Sequence, residues 1–195
     1  MLSDTLIVIM ILFIIVIAYR IYLSSDYFQL KCIISSVDGG RYCVRERSMQ
    51  KRAADHLALV NKNMKKLVSH CKDKFPEKEN VVRLVEGFNP KQIVEILPTS
   101  QYTAYSENKG EKLAFCLNKK KDGDNLIDMN TLTFVAIHEM SHIATKEIGH
   151  TPTFWKNFKF LLVEAEKIHI YKPINYEKEP KNYCGLEINH NPYYD

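Results

Sequence analysis

Five cysteines in 195 residues, an odd count with no C-x-x-C pair, exclude a cysteine-dense scaffold and a clustered thiolate metal site. Each is expected as a small buried apolar residue in a reducing compartment. Nor is there a strong excess of either charge. The 27 basic residues stand against 23 acidic ones, a net +4 spread along the chain, which removes the main signature of a nucleic-acid partner. Internal repeats and low-complexity segments are also missing. The length allows one compact domain with a small attachment, and two full domains would be a tight fit.

What is present begins at the N-terminus. Leu6 to Ala18 is thirteen consecutive apolar residues, and Ile21 to Leu23 extends the run beyond Tyr19 and Arg20. As a helix, this stretch reaches about 27 Å at ~1.5 Å per residue, enough for the hydrocarbon of a bilayer if Arg20 snorkels to the interface. A cleaved signal peptide competes, but it needs a basic stretch before the run and a small-residue cleavage site after it. Here only Asp4 precedes, and "AYRIYLSSD" follows. The features favour a membrane anchor over residues 1–26, with residues 5–23 in lipid, followed by one domain over 27–195. Arg20, Lys31, Arg41, Arg45 and Arg47 all follow the run, so the positive-inside bias places that domain on the cytosolic side.

Past the anchor, "FQLKCIISSVDGGRYCVRE" reads as two strands around Asp38-Gly39-Gly40. Ser48 offers an N-cap to a long amphipathic helix that lasts until Pro76. Its His56 and His70 lack a second donor three or four residues away and are expected as solvated or half-buried. A shorter helix spans Glu79 to Glu86, ended by Gly87. Tyr102 to Ser106 and Lys112 to Leu117 form a second hairpin about Asn108-Lys109-Gly110, and "KKKDGDN" is a polar loop. The expected class is α+β, with helices packed on a small, mostly antiparallel sheet.

The chemistry concentrates in "FVAIHEMSHIATKEIGHTPTFW". From Asn130 the pattern is helical. His138 and His142, four apart, project from one side of the helix, so two imidazoles can reach one ion. This is H-E-x-x-H, in which two histidines bind zinc and Glu139 acts as general base on the activated water. The string arises by accident often enough that context must decide. Gly149 can adopt the left-handed conformation that ends the helix and returns His150 toward the other two. Thr151-Pro152 then opens a new helix, with Thr as N-cap and Pro at its first position. Glu164 and Glu166, downstream on that helix, are alternative third ligands. His169 and His190 are expected at structural or surface positions.

"HEMSHIATKEIGHTPTFW" resembles the active-site pattern of the WLM and SprT/Spartan-like zinc metallopeptidases, zincins in which a third histidine in a G-H-x-P-x-F context opens the next helix. The resemblance is specific over residues 130–162. Upstream, "DGGRYCVRER" and "ENKGEKLAFCLN" are similar to a membrane-anchored WLM-like group from large DNA viruses. Carried over, it implies His138, His142 and His150 as Zn²⁺ ligands and Glu139 as catalytic. Two departures stand out. Seven residues separate His142 from His150, more than in the shorter WLM pattern, and Spartan-type DNA-repair proteases lack an anchor, so a chromatin substrate is not carried over.

The expected function is therefore a membrane-anchored zinc metallopeptidase that hydrolyses peptide bonds in an extended protein segment, aligned by an edge strand at Lys112 to Leu117. The alternative is a catalytically silent zinc-binding or structural membrane protein acting as an assembly module. The aromatic tail "YCGLEINHNPYYD" is expected to pack on the domain beside the cleft, where Tyr183 is a candidate oxyanion donor.

Overall fold

The computed structural model describes residues 4–121 and 123–195. Residues 1–3 of the expected anchor and Asp122 of the polar loop lie outside them. Helix α1, Asp4–Ser24, buries none of its residues and has a mean hydropathy of 2.8. Its 21 residues reach about 31 Å, the thickness of a bilayer's hydrocarbon. A four-residue turn of helix, α2 (Asp26–Gln29), joins it to the domain. Three bonds fix that junction: Thr99 Oγ1 donates to Leu23 O (3.2 Å), Gln29 Nε2 to Tyr22 O (3.2 Å), and Lys112 Nζ pairs with Asp26 (2.5 Å).

The domain is mixed α+β. Strands β1 (Leu30–Ile34), β2 (Arg41–Arg45), β3 (Ile93–Glu95), β4 (Ala104–Glu107) and β5 (Lys112–Phe115) form one sheet in the order β1-β2-β3-β5-β4. The two hairpins pair antiparallel as expected, with Cys32 opposite Cys43 and Tyr105 opposite Ala114. The joins β2-β3 and β3-β5 are parallel, so the sheet is half parallel rather than mostly antiparallel. The reason is β3, a three-residue strand too short to show any alternation, which slots between the hairpins. The order also corrects the edge: β5 is interior, and the edge strand beside it is β4. Buried Glu95 clamps β3 to β2 by accepting from Arg45 N (2.8 Å) and Arg45 Nε (2.9 Å), with Arg47 2.8 Å away.

Helices α3 (Gln50–Lys74), α4 (Glu79–Gly87), α5 (Met129–Ala144) and α6 (Pro152–Lys167) cover the sheet. Helix α3 buries Ala53, Leu57, Val60, Met64, Leu67 and Cys71 at helical spacing. Its N-cap is Met49 and makes no side-chain bond, so Ser48 does not cap it. Twelve of the sixteen residues of α5 are buried, which makes it the central helix, packed on α3, α4, α6 and β4 at once. Asp128 caps it, accepting from Thr131 N and Thr131 Oγ1. Gly87 lies inside α4 and does not end it in a left-handed turn. Its role is close approach: a Cβ there would collide with Lys109 O and Ile143, just as one on Gly110 would meet Gly87 O. The α4 end and the β4-β5 turn therefore pack backbone to backbone, with the Ile143 side chain of α5 against both.

The chain closes with a separate hairpin, β6 (Lys181–Tyr183) and β7 (Leu186–Ile188), and a 3₁₀ turn at Pro192–Tyr194. The expectation of unpaired cysteines fails at two places. Cys32–Cys43 bridges β1 and β2, Cys116–Cys184 ties the C-terminal hairpin to the end of β5, and among the described residues only buried Cys71 is free. Pairs eleven and 68 residues apart leave no local signature, so an odd count without motifs concealed them.

Candidate metal centre

Helix α5 presents His138 and His142 one turn apart, with ring centroids at 5.0 Å. The helix stops at Ala144, five residues before Gly149. The stop comes from a side chain that sequence reasoning passed over. Lys109, in the β4-β5 turn, donates from Nζ to His142 O (3.1 Å), Thr145 O (2.8 Å) and Glu147 O (2.9 Å). A cation thus occupies the negative end of the helix and takes up carbonyls that the helix leaves unpaired. Arg83 of α4 adds a bond to Ala144 O at 2.9 Å. The chain then loops to Gly149, which has the expected left-handed conformation (φ +86°).

From that loop His150 comes back to the pair, its Nε2 3.1 Å from His138 Nε2 and its ring centroid 5.0 Å from that of His142. Thr151 caps α6 by accepting from Phe154 N (3.3 Å), with Pro152 at the first position, as the sequence indicates. Phe154 packs on all three imidazoles, at centroid distances of 5.0, 4.4 and 4.7 Å, and fixes their orientation. The structure therefore brings His138, His142 and His150 together, with one ring nitrogen of each within 4.8 Å of the others, and the trio could hold a metal ion.

Three observations fit a metal ion held by the trio. Tetrahedral coordination at about 2.0–2.1 Å sets ligand nitrogens roughly 3.3 Å apart, close to the observed 3.1 Å. Binding needs neutral imidazoles. Burial and then the neighbouring histidines push His138 down to about 3, while burial, His150 and Lys109 push His142 down to about 4. The competing carboxylates are occupied elsewhere: Glu164 binds His70 (2.8 Å) and Lys167 (2.6 Å), and Glu166 accepts from Tyr193 (2.5 Å).

Glu139 sits beside the trio and is almost wholly buried, which pushes its carboxyl up to about 8. It lines an open cleft of about 840 Å³ with the three histidines, β4, Lys109 and Leu186. The other titratable candidates fall outside. His56 bonds Arg52 O, His169 is exposed, and His190 bonds Asp195. Tyr183 is buried and donates to Thr103 O (3.1 Å), so it is not free to serve as an oxyanion donor.

The fold and site define an α+β domain whose central helix, with the turn that follows it, carries a histidine trio at an open cleft. No family model matches the chain. Over 158 residues it is 31% identical to uncharacterized protein R325 of Acanthamoeba polyphaga mimivirus, covering 79% of this chain and 80% of that one, and it belongs to the same family. It is also 39% identical over 84 residues to uncharacterized protein 136R of Invertebrate iridescent virus 6, covering 42% and 44% of the two chains. Among solved structures, Wss1 from Saccharomyces cerevisiae aligns over 64% of this chain and 86% of its own, with a TM-score of 0.46 and 18% identity.

Proposed function

We propose that this protein is a membrane-anchored, zinc-dependent peptidase. The observation that carries the reading is the convergence of His138, His142 and His150 around one point, with buried Glu139 next to them, in a cleft open to an extended strand edge. A purely structural zinc site is closed by four protein ligands, whereas this trio faces about 840 Å³ of open space.

His138, His142 and His150 would hold the ion. When bound, zinc supplies a Lewis acid that polarises a carbonyl and makes water nucleophilic near neutral pH. The chain's own residues do the rest. The free edge of β4 offers backbone groups to an extended peptide, which fixes the scissile carbonyl along the cleft. Glu139 takes a proton from the attacking water and delivers it to the departing amine. Lys109 keeps the His150 loop closed against α5.

Helix α1 supports anchoring by its length and full exposure. The two disulfides support a domain that faces an oxidising compartment, against the cytosolic side that charge bias suggests. The decisive experiment uses full-length protein in lipid nanodiscs and its Glu139→Gln variant. Both should carry one zinc per chain, and only the wild type should cleave an unfolded protein substrate. Cleavage by the variant, or a wild type without tightly held zinc, removes the proposal.

A further inference from the structure

A pocket of about 390 Å³ lies where the domain meets α1, and it shares no lining residue with the histidine cleft. Its size is within the range of small-ligand sites, about 300–1,000 Å³. Tyr22 of α1 and Phe28 of α2 form one wall, with ring centroids 5.5 Å apart. Arg45 and Arg47, at the end of β2 and just beyond it, form another, and Pro98 and Asp124 also line it.

The two arginines differ in what they have to bind. Arg45 is used up: its Nε donates to Glu95 Oε1 (2.9 Å) and its Nη1 to Lys121 O (2.7 Å). The Arg47 side chain is only 6% exposed, and its Nη2 lies 2.8 Å from the same Glu95 oxygen, out of line for a hydrogen bond. Nε, Nη1 and Nη2 of Arg47 are all buried without a hydrogen-bond partner among the described residues. A guanidinium carries five N–H groups in a planar fork, and burying them unmatched is costly. What fits that fork is a pair of anionic oxygens, from a carboxylate or a phosphate. The chain's own carboxylates are placed otherwise. Glu95 already accepts from Arg45 N and Nε, and Glu46 turns to Lys31 (3.5 Å). Asp124 stands at the exposed rim, close enough for its charge to act on Arg47.

Depth selects the source of the anion. Thr99 Oγ1 holds Leu23 O and Gln29 Nε2 holds Tyr22 O, so the pocket is fixed to the last turn of α1. With α1 across a bilayer, Tyr22 and Phe28, 48% and 55% exposed, sit in the interfacial belt where aromatic rings meet headgroups. Phospholipid phosphates are then the anions at the same level. The pocket also carries both signs, Arg47 within and Asp124 at the rim, which matches a headgroup that joins a phosphate to an ammonium better than one that is purely anionic. We propose that this pocket binds one zwitterionic phospholipid, its phosphate on Arg47, its ammonium towards Asp124 and its first acyl carbons along Tyr22 and Phe28. The proposal rests on the anchoring reading of α1 and is independent of the peptidase chemistry.

Native mass spectrometry of full-length protein in an uncharged maltoside detergent counts the lipids it retains. The probes are dioleoyl phosphatidylethanolamine, dioleoyl phosphatidylglycerol, dioleoylglycerol, which lacks the headgroup, and glycerophosphoethanolamine, which lacks the tails. One phosphatidylethanolamine per chain should be retained about ten- to a hundredfold more tightly than dioleoylglycerol, the value of hydrogen bonds to a charged donor. Its advantage over phosphatidylglycerol should be about threefold, the value of a rim-exposed ion pair. Arg47→Met should bring phosphatidylethanolamine down to the level of dioleoylglycerol. Asp124→Asn, at an exposed position, should abolish the preference over phosphatidylglycerol while both lipids still bind. Flotation with phosphatidylcholine vesicles should be the same for wild type and both variants, because α1 does the anchoring. Equal retention of phosphatidylethanolamine and dioleoylglycerol by the wild type overturns the pocket, as does undiminished retention by folded Arg47→Met; if that variant does not fold, the wild-type comparison decides. An unchanged lipid preference in Asp124→Asn overturns the place given to the ammonium. Equal affinity for glycerophosphoethanolamine and the lipid overturns the lipid source and makes the ligand a soluble phosphate ester. A wild type that does not float overturns the anchor, and the depth argument with it, whatever the pocket retains.

Discussion

Lys109→Met is the sharpest perturbation of the site that leaves every candidate ligand side chain in place. Methionine keeps most of the aliphatic stem and removes the ammonium that donates to His142 O, Thr145 O and Glu147 O at 3.1, 2.8 and 2.9 Å. Each such bond from a charged donor is worth about 1.5–3 kcal/mol, yet water can reach some of these carbonyls once the ammonium is gone. Thr145 is buried, so its carbonyl is the one that water replaces least well. Counting that bond in full and the others only in part, the expected loss is about 2–3 kcal/mol. The loss falls on the loop between α5 and Gly149, so it should weaken zinc more than it weakens the fold. Expected are a roughly tenfold to hundredfold fall in zinc affinity, read by competition with a chromophoric chelator, and a urea midpoint lowered more in zinc-loaded than in metal-free protein, because weaker binding removes part of the stabilisation that zinc adds. Zinc affinity within about twofold of wild type would refute the idea that this lysine closes the site.

Two further outcomes follow from titratable groups and thiols. In metal-free protein, His138 and His142 have folded values of about 3 and 4 against 6.5 unfolded, so the unfolded chain binds more protons between those limits and stability falls as pH drops below 6.5. Glu139 acts with the opposite sign: its folded value of about 8 against 4.5 makes the folded state bind more protons, so stability also falls as pH rises from 6.5 to 8. Metal-free stability should therefore peak near pH 6.5 and decline at roughly 1 kcal/mol per pH unit on the alkaline side, as urea midpoints across pH would show; a monotonic rise to pH 8 would contradict the buried state of Glu139. Alkylation of denatured, unreduced protein should label one cysteine, Cys71, and five after reduction; five before reduction would return the domain to a reducing compartment.

The histidine trio was largely legible because its signals are local. The four-residue spacing of His138 and His142, a glycine before His150 and a Thr-Pro helix start all act within thirteen to fifteen residues, and each appears in the structure. What escaped depends on distant partners. Nothing about the residues Lys112 to Phe115 says whether β5 lies at an edge, because that is decided by where three-residue β3 inserts. Lys109 reads as an ordinary turn lysine until α5 places its carbonyls above it. Helix α5 itself shows a weak stripe because it is packed on several sides, and Ser48 loses its capping role because α3 starts two residues later, at Gln50.

The bond from Thr99 to the last turn of α1 sets a leash. Thr99 is five residues from Ala104, where the free edge of β4 starts, so with the side chain and its 3.2 Å bond that edge begins within roughly 24 Å of the end of the hydrophobic helix. With α1 in a bilayer, the proposed peptidase site is mounted at wading depth. Chains drifting in bulk solution must first come to the shore, while stalks and loops that emerge from the same sheet of lipid are already within its sweep, and a search in three dimensions becomes one along a surface.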